Sequence, residues 1–104
     1  EQGERALALA QAVGSRAQVG IAHRVLGETA AASGFDEVHK QTATEHFNHA
    51  VEILAGMKNE LELARCYRAF AAFREKCGHA EDAAKLRRRA EEIFGRLRGA
   101  AAIE

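Results

Sequence analysis

The chain has 104 residues, fifteen Asp and Glu against fifteen Lys and Arg, and no formal net charge. That is the size of one small domain, and the balance argues against a general polyanion binder, whose phosphate affinity needs a basic excess or a clear basic face. No run approaches the roughly 18–20 apolar residues of a membrane span; with no signal peptide in view and a start at Glu1 rather than Met, the expectation is a cytoplasmic piece of a longer protein.

Every hydrophobic pattern is helical, and no proline interrupts the chain. A first helix is expected from about Gln2 to Val13. Its leucines and alanines are apolar nearly all round, which calls for neighbours on more than one side, either upstream repeats or a partner subunit. Gly14 ends it. Ser15-Arg16-Ala17-Gln18 has capping-box spacing. The second helix then runs to about Ser33, with Val19, Ala22, Leu26, Ala30 and Ser33 on one face and Gly34 as a left-handed C-cap. Phe35 to Gln41 reads as a longer turn with room for one helical turn at Asp36–Lys40. Thr42-Ala43-Thr44-Glu45 is a second capping box, so the third helix is expected from Ala43 to Ala55. It turns Ala43, Phe47, Ala50, Val51 and Leu54 inward. A tight turn follows at Gly56-Met57-Lys58.

Asn59-Glu60-Leu61-Glu62 is a third cap, 44 positions after Ser15. The fourth helix carries Leu63, Cys66, Phe70, Phe73 and Cys77. This is the bulkiest stripe in the chain and the expected centre of the core; Gly78 closes it. The fifth helix, from about Ala80 to Leu97, turns Ala83, Leu86, Ala90, Ile93 and Leu97 inward, and Arg98 to Glu104 is expected to fray. Cys66 and Cys77 sit on one helix roughly 16 Å apart, too far for the ~4.4–6.8 Å of a disulfide. Two reduced thiols on the apolar stripe fit a cytosolic setting.

Ala6 to Gly34 and Ala50 to Gly78 correspond at an offset of 44. Ala6/Ala50, Arg24/Arg68 and Gly34/Gly78 are identical. Leu7/Val51, Leu9/Ile53, Val19/Leu63, Ala22/Cys66, His23/Tyr67 and Leu26/Phe70 match in size and polarity. A partial third copy starts at Ala90. A repeated helical hairpin has an apolar face it cannot bury alone, so neighbouring hairpins stack and share a core. The competing reading is a plain antiparallel bundle whose alanine-rich helices look alike.

These hairpins resemble tetratricopeptide repeats, most closely those appended to bacterial signalling and regulatory proteins. His23, Leu26 and Gly27 match the family's first-helix pattern and Ala43, Phe47 and Ala50 its second. In the next unit Tyr67, Phe70 and Ala71 match, followed by Ala83 and Ala90. The period here is 40 to 44 against the usual ~34; Arg87 stands at the aromatic position, and Ala55 and Gly95 stand where proline is frequent. The resemblance implies an all-α fold: antiparallel hairpins stacked as a short right-handed solenoid of about five helices. Residues 1–14 would be the second helix of a truncated repeat, 15–58 repeat one, 59–99 repeat two and 100–104 a tail.

The resemblance also implies a protein–protein interaction or scaffolding role without chemistry or cofactor. The first helix of each hairpin would line a concave surface, which carries the partner-binding expectation to Arg24, Glu28 and Ala31 in one unit and to Arg65, Arg68, Ala72, Glu75 and Lys76 in the next. Arginines there could grip acidic side chains or a peptide carboxylate. The alternative is self-association, the apolar N-terminal helix pairing with its copy in a homodimer.

Three chemical readings are weaker. His46 and His49 share a helix face, with His39 and Glu45 nearby, but two or three donors without a Cys or an HExxH arrangement do not make a closed metal site, and solvated histidines are the expectation. His23 reads as a packed residue. Lys85-Leu86-Arg87-Arg88-Arg89 is flanked by Glu81, Asp82, Glu91 and Glu92 at pairing distances, so a salt-bridged outer face is favoured over nucleic-acid contact. No P-loop, glycine-rich fingerprint or nucleophile with its base supports catalysis; Gly20 and Gly27 are expected at close packing positions.

Overall fold

A computed structural model of the chain describes Glu4, residues 16–57 and residues 59–103, with side chains as far as residue 99. The helix expected over Gln2–Val13 and the Ser15 cap lie outside the described residues, Glu4 apart. Four helices follow: α1 (Arg16–Ser33), α2 (Glu37–Gly56), α3 (Glu60–Lys76) and α4 (Ala80–Ile103). The described residues contain no strand.

The ends of the helices follow from their caps. α2 starts at Glu37, six residues before the expected Ala43. Asp36 is its N-cap and accepts the His39 backbone N–H at 3.0 Å, which satisfies one orphan donor of the first turn. Thr42 to Glu45 is helix interior, where the Thr44 hydroxyl donates back to the Lys40 carbonyl. The stronger Asx cap upstream therefore wins over the Thr one. Asn59 caps α3 by accepting from Glu62 N–H, as its spacing suggests. Gly78 has φ +85°, the left-handed conformation that frees the chain to turn.

Gly34 differs from the expectation: among the described glycines only Gly78 has positive φ. A Cβ at 34 would lie 2.9 Å from the partly exposed His39 ring, which would have to swing aside. α4 continues to Ile103, past the expected end at Leu97; Ser33, expected inward, is exposed.

Contacts between helices give their directions. A Cβ on Gly20 would strike Leu54 at 2.9 Å and one on Gly27 would meet the Phe47 ring at 3.1 Å. As α1 advances, its partners on α2 retreat, so the pair is antiparallel and held close by missing side chains. Arg68 reaches Glu91 on α4, and Arg96 reaches back to Glu60, so α3 and α4 are antiparallel too. α3 packs on both helices of the first pair, whereas α4 has backbone contact with α3 alone among the described helices. The molecule measures 45 × 37 × 18 Å. Its short axis is about two helix diameters.

The core lies where α2 and α3 meet. Phe47 is fully buried, with Phe70 stacked on it at 5.0 Å between centroids and Phe73 at 5.7 Å. Burying each ring contributes roughly 1.5–3 kcal/mol, and aromatic pairing at these separations adds ~0.5–1.5 kcal/mol. Ala30, Ala43, Ala50, Leu54 and Cys66 complete the cluster. Both thiols are free. Burial pushes the Cys66 thiol up to about 12, and it sits 3.9 Å from the Phe47 carbonyl it can donate to. Cys66 is thus a small apolar filler, while Cys77 is half-buried.

Candidate binding trough between α1 and α3

α1 and α3 run in the same direction. Arg24 lies opposite Glu62, and further along Ala31 and Ala32 lie beside Ala72 and Lys76. Between the two helices is an open trough of about 210 Å³. Its walls are Glu28, Ala31 and Ala32 from α1 and Ala69, Ala72 and Lys76 from α3; Phe73 and Phe47 form the floor. The trough exists because of residue size. Ala69, Ala72, Phe73 and Lys76 follow 3-1-3 spacing and so share one helix face. The alanines on both walls leave room above the two rings.

The expected partner-binding residues divide three ways. Glu28, Ala72 and Lys76 line the trough, joined by Ala31. Arg24 and Arg65 stand at one end. Arg24 pairs with Glu28 and lies 4.0 Å from Glu62, and Arg65 pairs with the same Glu62. Four charges of alternating sign therefore close that end of the seam, and the buried Nε of Arg24 has no hydrogen-bond partner among the described residues. Arg68 and Glu75 do not reach the trough. Arg68 pairs with Glu91 and lies 4.4 Å from the Phe94 ring centre, and Glu75 pairs with Arg87. Both face α4. The reason is helical phase: 69, 72, 73 and 76 point toward α1, while 68 and 75 sit on the α4 side. The sequence pattern missed Ala32, Phe47, Ala69 and Phe73 as lining residues. The inward stripe named Phe73 as core, and nothing local shows that one edge of its ring faces a gap.

The other candidates are rearranged. His39 turns to Asp36, with Nδ1 2.7 Å from the carboxylate. The Nδ1 of His46 instead lies 2.9 Å from Nδ1 of His23 on α1. Among the described residues no group of three or more His, Cys, Asp or Glu is arranged to hold a metal ion. The basic run pairs across to α3 rather than along α4. Arg87 meets Glu75, and Arg89 lies over the Tyr67 ring at 5.8 Å; Glu91 is taken by Arg68. No described helix is long and apolar enough to cross a membrane. No family model, no curated protein and no solved structure matches the chain.

Proposed function

We propose that this chain is a protein-interaction module of the tetratricopeptide-like kind, acting by binding rather than by chemistry. The trough between α1 and α3 would receive one apolar side chain of a partner peptide. The observation that carries this reading is its size and lining. At about 210 Å³ it is below the ~300–1,000 Å³ of pockets that enclose a whole small molecule, but ample for one Leu- or Phe-sized group. Alanine walls over an aromatic floor suit such an anchor, and single buried anchors dominate peptide and protein interfaces. Glu28 on one wall and Lys76 on the other give the flanking residues of the partner a direction. The arginines at the near end are already paired within the chain, so the grip would be apolar first and ionic second.

The order of helix contacts supports stacking of hairpins. First helix lies on first helix, and among the described helices the last has backbone contact with its own partner alone. The outer side of α4, with Lys85, Arg88 and Glu92 exposed, has the polar character of a terminal cap. A test uses N-acetyl-leucinamide and N-acetyl-phenylalaninamide as probes, followed by amide chemical shifts of the isotopically labelled chain. Saturable shifts should concentrate at Ala31, Ala69, Ala72 and Phe73 and vanish in Ala72→Trp, whose indole fills the trough. Shifts scattered over the surface, or unchanged by that substitution, would remove the reading.

A further inference from the structure

We infer that the α1–α2 seam is a proton-operated latch, closed by a direct contact between His23 and His46 and opened when both rings must carry a proton. The contact is specific. The two Nδ1 atoms are 2.9 Å apart, the ring centroids 5.1 Å, and the His49 ring meets His23 edge-on at a further 5.1 Å. A 2.9 Å separation between ring nitrogens is a hydrogen bond in which one donates and the other accepts. A pair with neutral rings satisfies it. One added proton is tolerated, since an imidazolium still donates to a bare nitrogen. A second proton leaves two N–H groups facing each other and two positive charges in contact, and the ring contact that closes the seam has to break.

The surroundings set the direction of the response. Burial, then the charge of the neighbouring rings, holds His23 below the ordinary imidazole value. His46 is lowered by burial and then by His49, while Glu45 on the same helix and Glu4 from the N-terminal segment pull it partly back up. Among the described residues those are the charged groups that act on the pair, and α3 and α4 contribute none. The unfolded chain takes up protons at the ordinary value of about 6.5, and the closed seam resists them. Stability is therefore complete above that value and is lost as pH falls below it. Each extra proton bound on unfolding raises the unfolding constant up to about tenfold per pH unit. The same seam is where Gly20 and Gly27 let the helices approach.

The latch needs no partner, so it can be tested apart from the trough. The experiment is urea unfolding of the full chain at pH 8, 7, 6 and 5, together with NMR titration of the histidine side chains. In the unmodified chain, His23 and His46 should titrate as a coupled pair below the ordinary value. His46→Gln should bring His23 up toward that value, and His23→Gln should flatten the fall of the unfolding midpoint between pH 7 and 5. His79→Gln, at an exposed turn position, should leave both as they are. If His23→Gln does not fold, the titration of the unmodified chain decides. Rings that titrate independently near 6.5, or a pH dependence unchanged in a folded His23→Gln, would overturn the latch. So would stoichiometric zinc uptake that shifts both rings, which would make the pair a metal site instead.

Discussion

Substituting Gly27 by alanine sets helix propensity against packing, and the structure decides between them. In an open helix position, Gly→Ala stabilises by roughly 0.5–1 kcal/mol. Gly95, on α4, is such a position: a Cβ there has nothing within 4 Å. At Gly27 the added Cβ lies 3.1 Å from three carbons of the Phe47 ring, several tenths of an ångström inside comfortable contact. The ring cannot easily yield, because Phe47 is fully buried and Phe70 is stacked on it at 5.0 Å. Overpacking of this kind costs ~1–3 kcal/mol. The net for Gly27→Ala is therefore a loss of up to ~2 kcal/mol, opposite in sign to Gly95→Ala. Urea unfolding followed by far-ultraviolet circular dichroism resolves this. With slopes of ~1–3 kcal/mol per molar urea, a 1 kcal/mol change moves the midpoint by roughly 0.3–1 M. A Gly27→Ala chain as stable as Gly95→Ala would refute the close approach of α1 to α2 at this ring.

Phe70→Ala removes a ring that is 6% exposed and touches both other core phenylalanines, and should cost ~3–5 kcal/mol. At ~4–8 °C per kcal/mol for a domain of this size, the melting temperature should fall by at least about 12 °C; a change of only a few degrees would mean that the aromatic cluster is not the centre of stability. Asp36 is held below the usual carboxylate range, first by the His39 backbone N–H and then by its ring. Its contribution should thus be intact above the unfolded value of about 3.9 and be lost as pH falls through the lower folded value. Asp36→Asn keeps a capping oxygen but cannot titrate, so the advantage of aspartate over asparagine in unfolding midpoint should hold from pH 7 to 5 and shrink below pH 4. An advantage that persists unchanged at pH 3 would show that the cap carries no ionised carboxylate.

The local signals were legible where one residue type has one physical use. Asn59 before Glu60, and Gly78 after the stripe of Leu63 to Cys77, end their helices as a cap and a left-handed glycine must. The stripe itself placed Phe70, Phe73 and Cys66 in the core, and Phe47 was read inward from its own helix. Gly20 and Gly27 were recognised as points of close approach, though which rings would press on them was not. Capping was misread at Thr42 because two competent caps lay six residues apart, and the relative strength of Asp36 depends on how His39 folds over it. Gly34 was misread for a similar reason. Glycine after a helix usually serves φ, but here φ is not positive, and a Cβ would push the His39 ring aside.

Amphipathic periodicity, residue by residue, determined that the chain is helical, roughly where its hairpins turn and which stripe is oily. Those properties arise within a few turns of backbone, and the side chains that set them are neighbours in sequence. Only the tertiary structure decided that Arg68 and Glu75 belong to α4's side and not to the trough, that Ala69 and Phe73 line it, and that His23 meets His46. These outcomes depend on the rotation and depth at which one helix sits against another. Small differences in side-chain volume at distant positions set that rotation, so no local pattern could have announced it.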